Sequence, residues 1–204
     1  MTLRTLMSEA TTLAGNRSDI AISTVSLQVN LAQLEVAAMA PHGALESTAT
    51  LAVLADSNTT TLPADFAEPI AVSRVSSYDN FAYRLLTEVG IGQIDNASEG
   101  TTAGTPNRYA VYNGALFFYP TPSSADSLIL RYRRVPADMT ELTDLPSLHT
   151  FYHPAILMKT VEYLCDHVLD REGAALARNR FISMMQSIPA TAELRVRSER
   201  TLGG

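Results

Sequence analysis

Two alternating apolar runs meet at Asn113-Gly114 within the stretch Pro106-Asn-Arg-Tyr-Ala-Val-Tyr-Asn-Gly-Ala-Leu-Phe-Phe-Tyr-Pro-Thr-Pro122. Asparagine and glycine both tolerate the positive φ of a type I′ turn, so this pair predicts a β-hairpin with a two-residue loop. The resulting register places four large apolar side chains on one face of the sheet. They form two cross-strand pairs, Tyr109 with Phe118 and Val111 with Leu116.

The sequence on both sides of this hairpin extends the β region. The run Leu128-Ile-Leu-Arg-Tyr-Arg-Arg134 alternates as the hairpin does, so it predicts a further strand of the same sheet with Arg131 and Arg133 facing outward. Upstream, runs of period two separated by turn residues predict more strands. In chain order, the remaining elements are a strand at 45–53, a turn at 56–58, a return strand from Thr59, a strand at 69–75, a short helix at 78–89 and a loop at 91–105.

Helical periodicity occupies the first forty residues. The first helix begins after the cap residue Thr2 and ends at Gly15, and a second helix capped by Ser18 or Asp19 runs to about Ala40. The apolar residues of each helix recur at the spacing of one helical face. The predicted buried residues are Leu3, Leu6, Met7, Ala10, Leu13 and Ala14 in the first helix and Leu27, Leu31, Leu34 and Ala38 in the second.

The C-terminal region predicts two more helices. Pro154 fits the first turn of a helix, Gly173 breaks or bends the path, and Pro189 ends the last helix. Residues 190–204 then form a polar tail with no helical stripe. The predicted buried residues are Leu157, Val161, Leu164 and Val168, followed by Ala174, Ala177, Phe181, Met184 and Ile188.

These elements predict an α+β fold. A helical bundle is built from both chain ends, and an antiparallel β domain, either a single sheet or a small sandwich, is inserted between them. The expected domains are a helical domain of residues 1–44 and 145–204, which includes the tail, and a β domain of residues 45–144. A length of 204 residues is enough for one ordinary domain or two small ones that share a core.

Composition and charge exclude several functional classes. No apolar run approaches the roughly 20 residues that cross a bilayer, and the N-terminal residues have no signal-peptide core, so we expect neither membrane insertion nor secretion. The single cysteine excludes an intramolecular disulfide and suits a reducing cytosol. The net charge of −6 arises in residues 41–150, where twelve acidic residues face six arginines. Such a chain is poorly suited to grip nucleic acid, but an acidic surface lets DNA slide past without adhering.

Three candidate reactive sites have weak support. His149 and His153 are four residues apart, yet Pro154 starts a helix there and no further metal-ligand pair accompanies them, so we expect no metal site. Cys165 lies near an apolar stripe and is expected to be a core residue rather than a nucleophile. The run Val89-Gly-Ile-Gly-Gln93 resembles the start of a dinucleotide loop but lacks the third glycine and a following helix in a βαβ unit. No catalytic residue and no cofactor is predicted.

The densest basic cluster consists of Arg131, Arg133 and Arg134. One interpretation is the solvated face of a strand, paired with nearby acidic residues. The other is a contact with a partner or a second subunit, where the planar guanidinium is favoured. Both interpretations remain open at this point.

The order of these parts resembles the head–tail adaptor proteins (neck or connector proteins) of tailed bacteriophages, notably the adaptor family of short-tailed phages. The resemblance covers nearly the whole chain. Thr61 replaces an aromatic residue that such proteins often have, and the final tail has no obvious counterpart. The short sequence motifs that match are Leu45-Glu46, Leu62-Pro63-x-Asp65-Phe66, Gly104-x-Pro106-x-x-Tyr109, Asn113-Gly114-x-Leu116-x-x-Tyr119-Pro120-x-Pro122, Leu128-x-Leu130-x-Tyr132-Arg133-x-x-Pro136 and Leu145-Pro146-x-Leu148-His149-x-x-Tyr152-His153.

The resemblance implies a structural virion protein, made in the host cytoplasm, rather than an enzyme. Such adaptors form a ring, typically of twelve copies, whose partners are the portal protein above and tail or nozzle proteins below. Genome DNA passes through the lumen without sequence-specific binding. Terminal segments clasp the portal, and here Leu194, Arg195, Val196 and Arg197 alternate as an added strand would, so we predict a tail that is disordered alone and ordered by a partner. The alternatives are a metal- or cysteine-dependent enzyme using His149, His153 or Cys165, and a cellular α+β interaction module.

Overall fold

The computed structural model describes residues 1–17, 19–75, 83–98 and 103–202, with the backbone alone at 42, 43, 75, 83, 98 and 189–202. The fold is mixed α+β. The described helices are α1 (Leu3–Leu13), α2 (Ile22–Met39), α3 (Ile91–Ser98), α4 (His153–His167) and α5 (Arg171–Leu202). The described strands are β1 (Glu46–Val53), β2 (Thr59–Thr61), β3 (Phe66–Val75), β4 (Tyr83–Leu85), β5 (Thr87–Glu88), β6 (Arg108–Tyr112), β7 (Ala115–Tyr119) and β8 (Asp126–Arg134).

The chain divides into two compact units. The helical unit consists of Met1–Leu45 with Val135–Gly204, and the β unit consists of Glu46–Arg134. The boundary at the C-terminal side of the β unit therefore lies after Arg134, not after residue 144 as expected from the sequence. The segment 135–148, which we call the strap, belongs to the helical unit.

The β unit contains two four-stranded sheets. One has the strand order β1-β8-β3-β4 and the other the order β2-β7-β6-β5, and their pairings are antiparallel except for β5 with β6. One apolar cluster takes side chains from both sheets, because each sheet is apolar on a single face. Its buried members are Leu51, Val53, Val72, Leu86, Tyr109, Leu116, Phe118, Leu128, Leu130 and Tyr132.

The predicted hairpin is confirmed. Strands β6 and β7 pair Tyr109 with Phe118 and Val111 with Leu116. Asn113 and Gly114 have φ values of 47° and 73°, as the primed turn requires. Since the turn chemistry and the alternation are both local, this register follows from the sequence alone.

The predicted membership of β8 in the hairpin sheet is wrong. Strand β8 is central in the other sheet, where it pairs with β1 on one side and β3 on the other. Its inward residues, Leu128, Leu130 and Tyr132, join the hairpin side chains in the shared core. Alternation shows which residues of a strand are buried, but it does not distinguish a neighbour within a sheet from a strand of the facing sheet.

Other local predictions in the β unit also need correction. The return strand β2 does not pair with β1; it pairs with β7 in the hairpin sheet. The helix expected at 78–89 is replaced over its described part by β4 and β5, and Phe81 lies outside the described residues. The loop expected at 91–105 begins with α3, whose buried Ile94 anchors it. Two glycines lowered the helical propensity of this segment, and tertiary packing overrides that weak preference.

The helical unit has its own core, formed by α1, α2, α4 and α5. Helix α1 begins as predicted, since the hydroxyl of Thr2 accepts a hydrogen bond from the amide of Thr5 at 3.3 Å. Helix α4 begins at His153 with Pro154 in its first turn, as predicted. It is buried on most sides, because α1, α2 and α5 all pack against it.

The predicted buried face of α2 is wrong. Leu27, Leu31 and Leu34 are 56%, 41% and 37% exposed, and the core takes the opposite face instead. That buried face consists of Val25, Val29, Ala32, Gln33, Val36 and Ala37. The capping prediction also fails, because α2 starts after Ala21 without a side-chain cap, Asp19 pairs with Arg17 at 2.8 Å, and Ser18 lies outside the described residues.

The strap is held to α2 by two buried or half-buried amide side chains. Gln33 donates to the carbonyl of Ala137 at 3.0 Å and accepts from the amide of Ser147 at 2.7 Å. Asn30 donates to the carbonyl of Met139 and accepts from its amide. These bonds satisfy the backbone of an irregular segment, which explains why the strap packs with the helices.

Helix α5 differs from its prediction at both ends. It begins at Arg171, before Gly173, and the turn that precedes it is made by Leu169 at a φ of 62°. It also continues through Pro189 to Leu202. Proline inside a helix removes the bond to the carbonyl four residues earlier, clashes with that carbonyl and costs about 3 kcal/mol or more, so this continuation runs against the local preference. The packed part matches the predicted stripe, with Ala174, Ala177 and Phe181 buried.

Candidate interaction surfaces

The structure separates the three arginines of β8. Arg131 and Arg133 lie on the outward face of the strand, whereas Arg134 follows on the other face at its end. Arg133 forms an ion pair with Glu68, its partner on β3, at 3.4 Å, and stands opposite Glu46 on β1. The acidic neighbours favour the solvated interpretation for Arg133.

Arg131 is the exposed member of this group. Its cross-strand neighbours are Thr48 on β1 and Ala71 on β3, so no acid lies directly opposite it. Among the described residues, the Nε of Arg134 is buried without a hydrogen-bond partner. Only the exposed Arg131 presents donors that a partner molecule could reach, and the contact role of the cluster stays a prediction.

The tail residues Leu194, Arg195, Val196 and Arg197 lie in the C-terminal part of α5. The backbone of this region is helical to Leu202, so the prediction that the last helix ends at Pro189 is wrong, whereas ordering of the tail by a partner stays a prediction. A helical backbone offers no strand edge for pairing, so the contact role of these residues stays a prediction without the added-strand form.

The two candidate metal-binding histidines have separate environments. The exposed His149 accepts from the amide of Phe151 at 3.4 Å and stacks on its ring at 4.4 Å between centroids. The buried His153 lies 2.7 Å from the amino group of Met1 through Nδ1 and 3.3 Å from the carbonyl of Leu148 through Nε2. Burial, and then the positive amino group, lower the pKa of His153, so its neutral form is favoured. In the described part of the chain no group of three or more His, Cys, Asp or Glu residues is placed to hold a metal.

Cys165 is buried near the C-terminal end of α4, as the sequence predicts. Burial, followed by the nearby carboxylates of Asp170 and Asp166, raises the pKa of its thiol. A raised pKa lowers the fraction of reactive thiolate at neutral pH. Its chemistry is thus that of a small core residue.

A helix does follow at this glycine pair, contrary to the sequence expectation, since Gly90 precedes α3 and Gly92 lies in its first turn. Helix α3 connects β5 to β6, and these two strands pair in parallel through two residue pairs. This is a small βαβ unit. It lacks the third glycine of the dinucleotide fingerprint, and a side chain added at either glycine would meet open space within 4 Å.

Sequence reasoning missed a buried charge network in the helical unit. Lys159, the single lysine of the chain, lies 2.8 Å from a carboxylate oxygen of Glu35 and 3.1 Å from one of Glu162. Arg178 on α5 donates to the other oxygen of Glu162 at 2.7 Å, and Tyr163 donates to Glu35. The network ties α2, α4 and α5 together. The sequence feature that could have revealed part of this network is the spacing of Lys159 and Glu162, which are three residues apart on one helix and therefore neighbours.

The second missed feature is an exposed apolar helix face. We call Leu27, Leu31, Leu34 and Ala38 the outer face of α2, because they lie opposite the side that packs in the core. A helix that is apolar on two opposite faces is normally covered on both. The sequence contained this signal, but periodicity alone assigned the wrong face to the core.

The buried charges of the described residues hold helices together, and the most distinctive exposed feature is an apolar helix face. This combination is typical of structural and interaction proteins. No helix within the described residues is both long enough and apolar enough to cross a membrane. The chain matches the family model described as SU10 adaptor protein over residues 1–202, and it therefore belongs to that family. The resemblance to phage head–tail adaptors is thereby confirmed.

Family membership assigns a general role. The family consists of structural phage adaptor proteins and is not a known enzyme family, which supports indirectly the expectation of no catalytic activity. In general, an adaptor is a virion component that interacts with portal and tail proteins. No curated protein matches the chain.

Proposed function

We propose that this chain is the head-to-tail adaptor of a virion and closes into a ring, of twelve copies, between the portal and the tail. The observation that carries this proposal is the family match over residues 1–202. In this proposal the helices of both chain ends form one bundle that surrounds the DNA channel. The contacts of α4 with α1, α2 and α5 support a single bundle.

Charge supports the passage of DNA without adhesion. The net charge of −6 arises in residues 41–150, and the two terminal regions balance to zero. The surrounding bundle therefore offers no net positive charge to phosphates, and acidic residues of 41–150 that face the lumen repel them. Arg133 is paired with Glu68, and Arg178 with Glu162, which reduces the positive charge available to phosphates. The proposed ring guides the genome and does not read its sequence.

The C-terminal part of α5 is the proposed portal contact. Helix α5 has 32 residues, so it spans about 48 Å, and side chains as far as Ile188 pack against the helical core. Residues 190–204, including Leu194, Arg195, Val196 and Arg197, are then available to dock on the portal or on a neighbouring subunit. Arg131, Arg133 and Arg134 form a second proposed contact, toward tail proteins or the next subunit.

Reconstitution with phage heads that lack the adaptor tests this function. Purified chain added to portal-bearing heads should bind as a ring and restore joining to tails, with the copy number counted by cryo-electron microscopy. In isolation the chain should be a monomer or small oligomer by light scattering coupled to gel filtration. Heads that bind no copies, or that join tails equally well without the chain, would refute the proposal.

A deletion variant isolates the role of the tail. Removing residues 190–204 should leave the melting temperature unchanged, because the described side chains that pack in the core all belong to residues up to Ile188. The same variant should fail to attach to portal-bearing heads. Normal joining of heads and tails by the truncated chain would show that this end of α5 has no docking role.

A further inference from the structure

The outer face of α2 is apolar and carries no charge. Its leucines at 27, 31 and 34 are exposed, and they lie between two flanks that are already engaged. On one flank Asn30 binds the strap, and on the other Glu35, the single ionisable residue of α2, binds Lys159 of α4. A surface with these properties suits an apolar protein surface and offers nothing to phosphate or to a charged ligand.

The helical unit also has a mainly apolar groove of about 230 Å³, which lies between α1, α4 and α5 and includes no residue of α2. Its walls include Leu13 of α1 and Leu176 of α5, which are 50% and 56% exposed. Its deeper lining comes from α4, through the buried side chains of Met158, Val161 and Cys165. Asp170 and Arg180 also line the groove, so it is concave and more apolar than polar, whereas the outer face of α2 is a convex apolar ridge.

We propose that the outer face of α2 of one copy packs into the α1–α4–α5 groove of the next copy. This inference rests on the proposed ring function and names the residues that build its subunit interface. A ring needs two different patches on each subunit, one for each neighbour. Another cavity of the helical unit, about 330 Å³, is lined in part by Ile22 and Val25 of α2 itself, so the α2 of the same copy already closes it and it is a poorer counterpart.

The positions of the two patches fit rotational symmetry. The groove lies where α1 ends, α4 ends and α5 begins, since Ala14, Cys165 and Gly173 all line it. Helix α2 starts shortly after α1 at this same end of the unit. Cyclic symmetry places the same element of every copy at the same height along the ring axis. In a ring whose helices run along this axis, Leu27 of one copy therefore lies level with the groove of the next copy.

The size of the outer face explains assembly on a template. The stripe from Leu27 to Ala38 is about 18 Å long and 10 Å wide, on the order of 200 Å². A stable pair of proteins buries about 800 Å² per partner. This contact alone is thus too small to hold a dimer in solution, and it becomes effective when a portal ring gathers many copies at high local concentration.

Disulfide cross-linking tests the interface. In a Cys165→Ala background, which removes the single native cysteine, Leu27→Cys is combined with Leu176→Cys. Oxidation on portal-bearing heads should give a ladder of covalent multimers, since Cα atoms about 4.4–6.8 Å apart can be bridged. Each single variant should remain monomeric, and a mixture of the two single variants should stop at dimers. The matched control pairs Leu27→Cys with Leu145→Cys, because Leu145 is exposed but follows Asp144, whose carbonyl binds Leu3 at the opposite end of α1.

A charge on the outer face supplies a second measurement. Leu31→Asp should lower the number of copies bound to heads at a fixed protein concentration by at least about tenfold, as for a central interface residue, while Leu145→Asp leaves it unchanged. Dimers from Leu27→Cys alone would indicate a symmetric α2–α2 contact and overturn the proposal. A ladder of equal strength from the control pair, or rings seen by microscopy without any ladder, would also overturn it. Rings without a ladder leave the ring function intact, whereas heads that bind no copies refute both.

Discussion

Replacing Phe118 by alanine should destabilise the β unit by about 3–5 kcal/mol. The ring is fully buried in the cluster shared by the two sheets. Removing it from water contributes roughly 1.5–3 kcal/mol to folding, and the cavity left among neighbours on both sheets adds a further cost. Strand β7 keeps its backbone bonds in the variant, so the loss reports the packing between the sheets rather than the hairpin itself.

The neighbouring residue provides the matched control. Phe117 has the same side chain on the other face of β7, where it is half-buried and lies 6.4 Å from the ring of Tyr112. Urea denaturation followed by circular dichroism gives the free energy of unfolding of both variants and of the parent chain. Phe117→Ala should lose less than half as much as Phe118→Ala. Equal losses, or an unchanged stability of Phe118→Ala, would refute both the register and the two-sheet core.

Three further predictions concern the helical unit. Gln33→Leu should cost about 2–4 kcal/mol by urea denaturation, because two backbone groups of the strap lose their partners, whereas Gln28→Leu on the same helix changes little. Lys159→Met should cost about 1.5–3 kcal/mol, because the buried Glu162 loses its ammonium partner and keeps Arg178, and adding Glu162→Met should restore most of that loss. Burial raises the pKa of Glu35, but hydrogen bonds from α4 outweigh it and hold that pKa below 4.5. Its contribution to stability is therefore present above pH 4.5 and is lost as pH falls through the lower folded pKa, and Glu35→Gln should flatten an acid titration of stability in this range.

Each of these predictions has a contradicting result. Equal effects of the two glutamine variants would show that the amide of Gln33 does not hold the strap. A double variant as unstable as Lys159→Met alone would mean that packing, not charge pairing, dominates at this site. If Glu35→Gln follows the same acid unfolding curve as the parent chain, the carboxylate is not stabilised by its partners on α4.

The sequence determined those features whose cause is local. The hairpin register follows from Asn113-Gly114, because only a few residue pairs adopt the two positive φ values of this turn. The starts of α1 and α4 follow from Thr2 and Pro154, whose effects act within one helical turn. The core position of Cys165 also came from its helical spacing. The resemblance to phage adaptors came from the order of several short sequence motifs along the chain and is confirmed by the family match.

Only the tertiary structure decided the features that depend on distant partners. Strand β8 lies between β1 and β3, in the sheet that faces the hairpin, and alternation alone does not distinguish this arrangement from a place beside the hairpin. Helix α2 is apolar on two faces, so the choice of the buried one depends on α4 and the strap. Helix α5 continues through Pro189 against the local preference, since proline inside a helix costs about 3 kcal/mol or more. Consequently the exposed ridge and groove of the proposed ring interface were hidden from sequence reasoning, which assigned Leu27, Leu31 and Leu34 to the core.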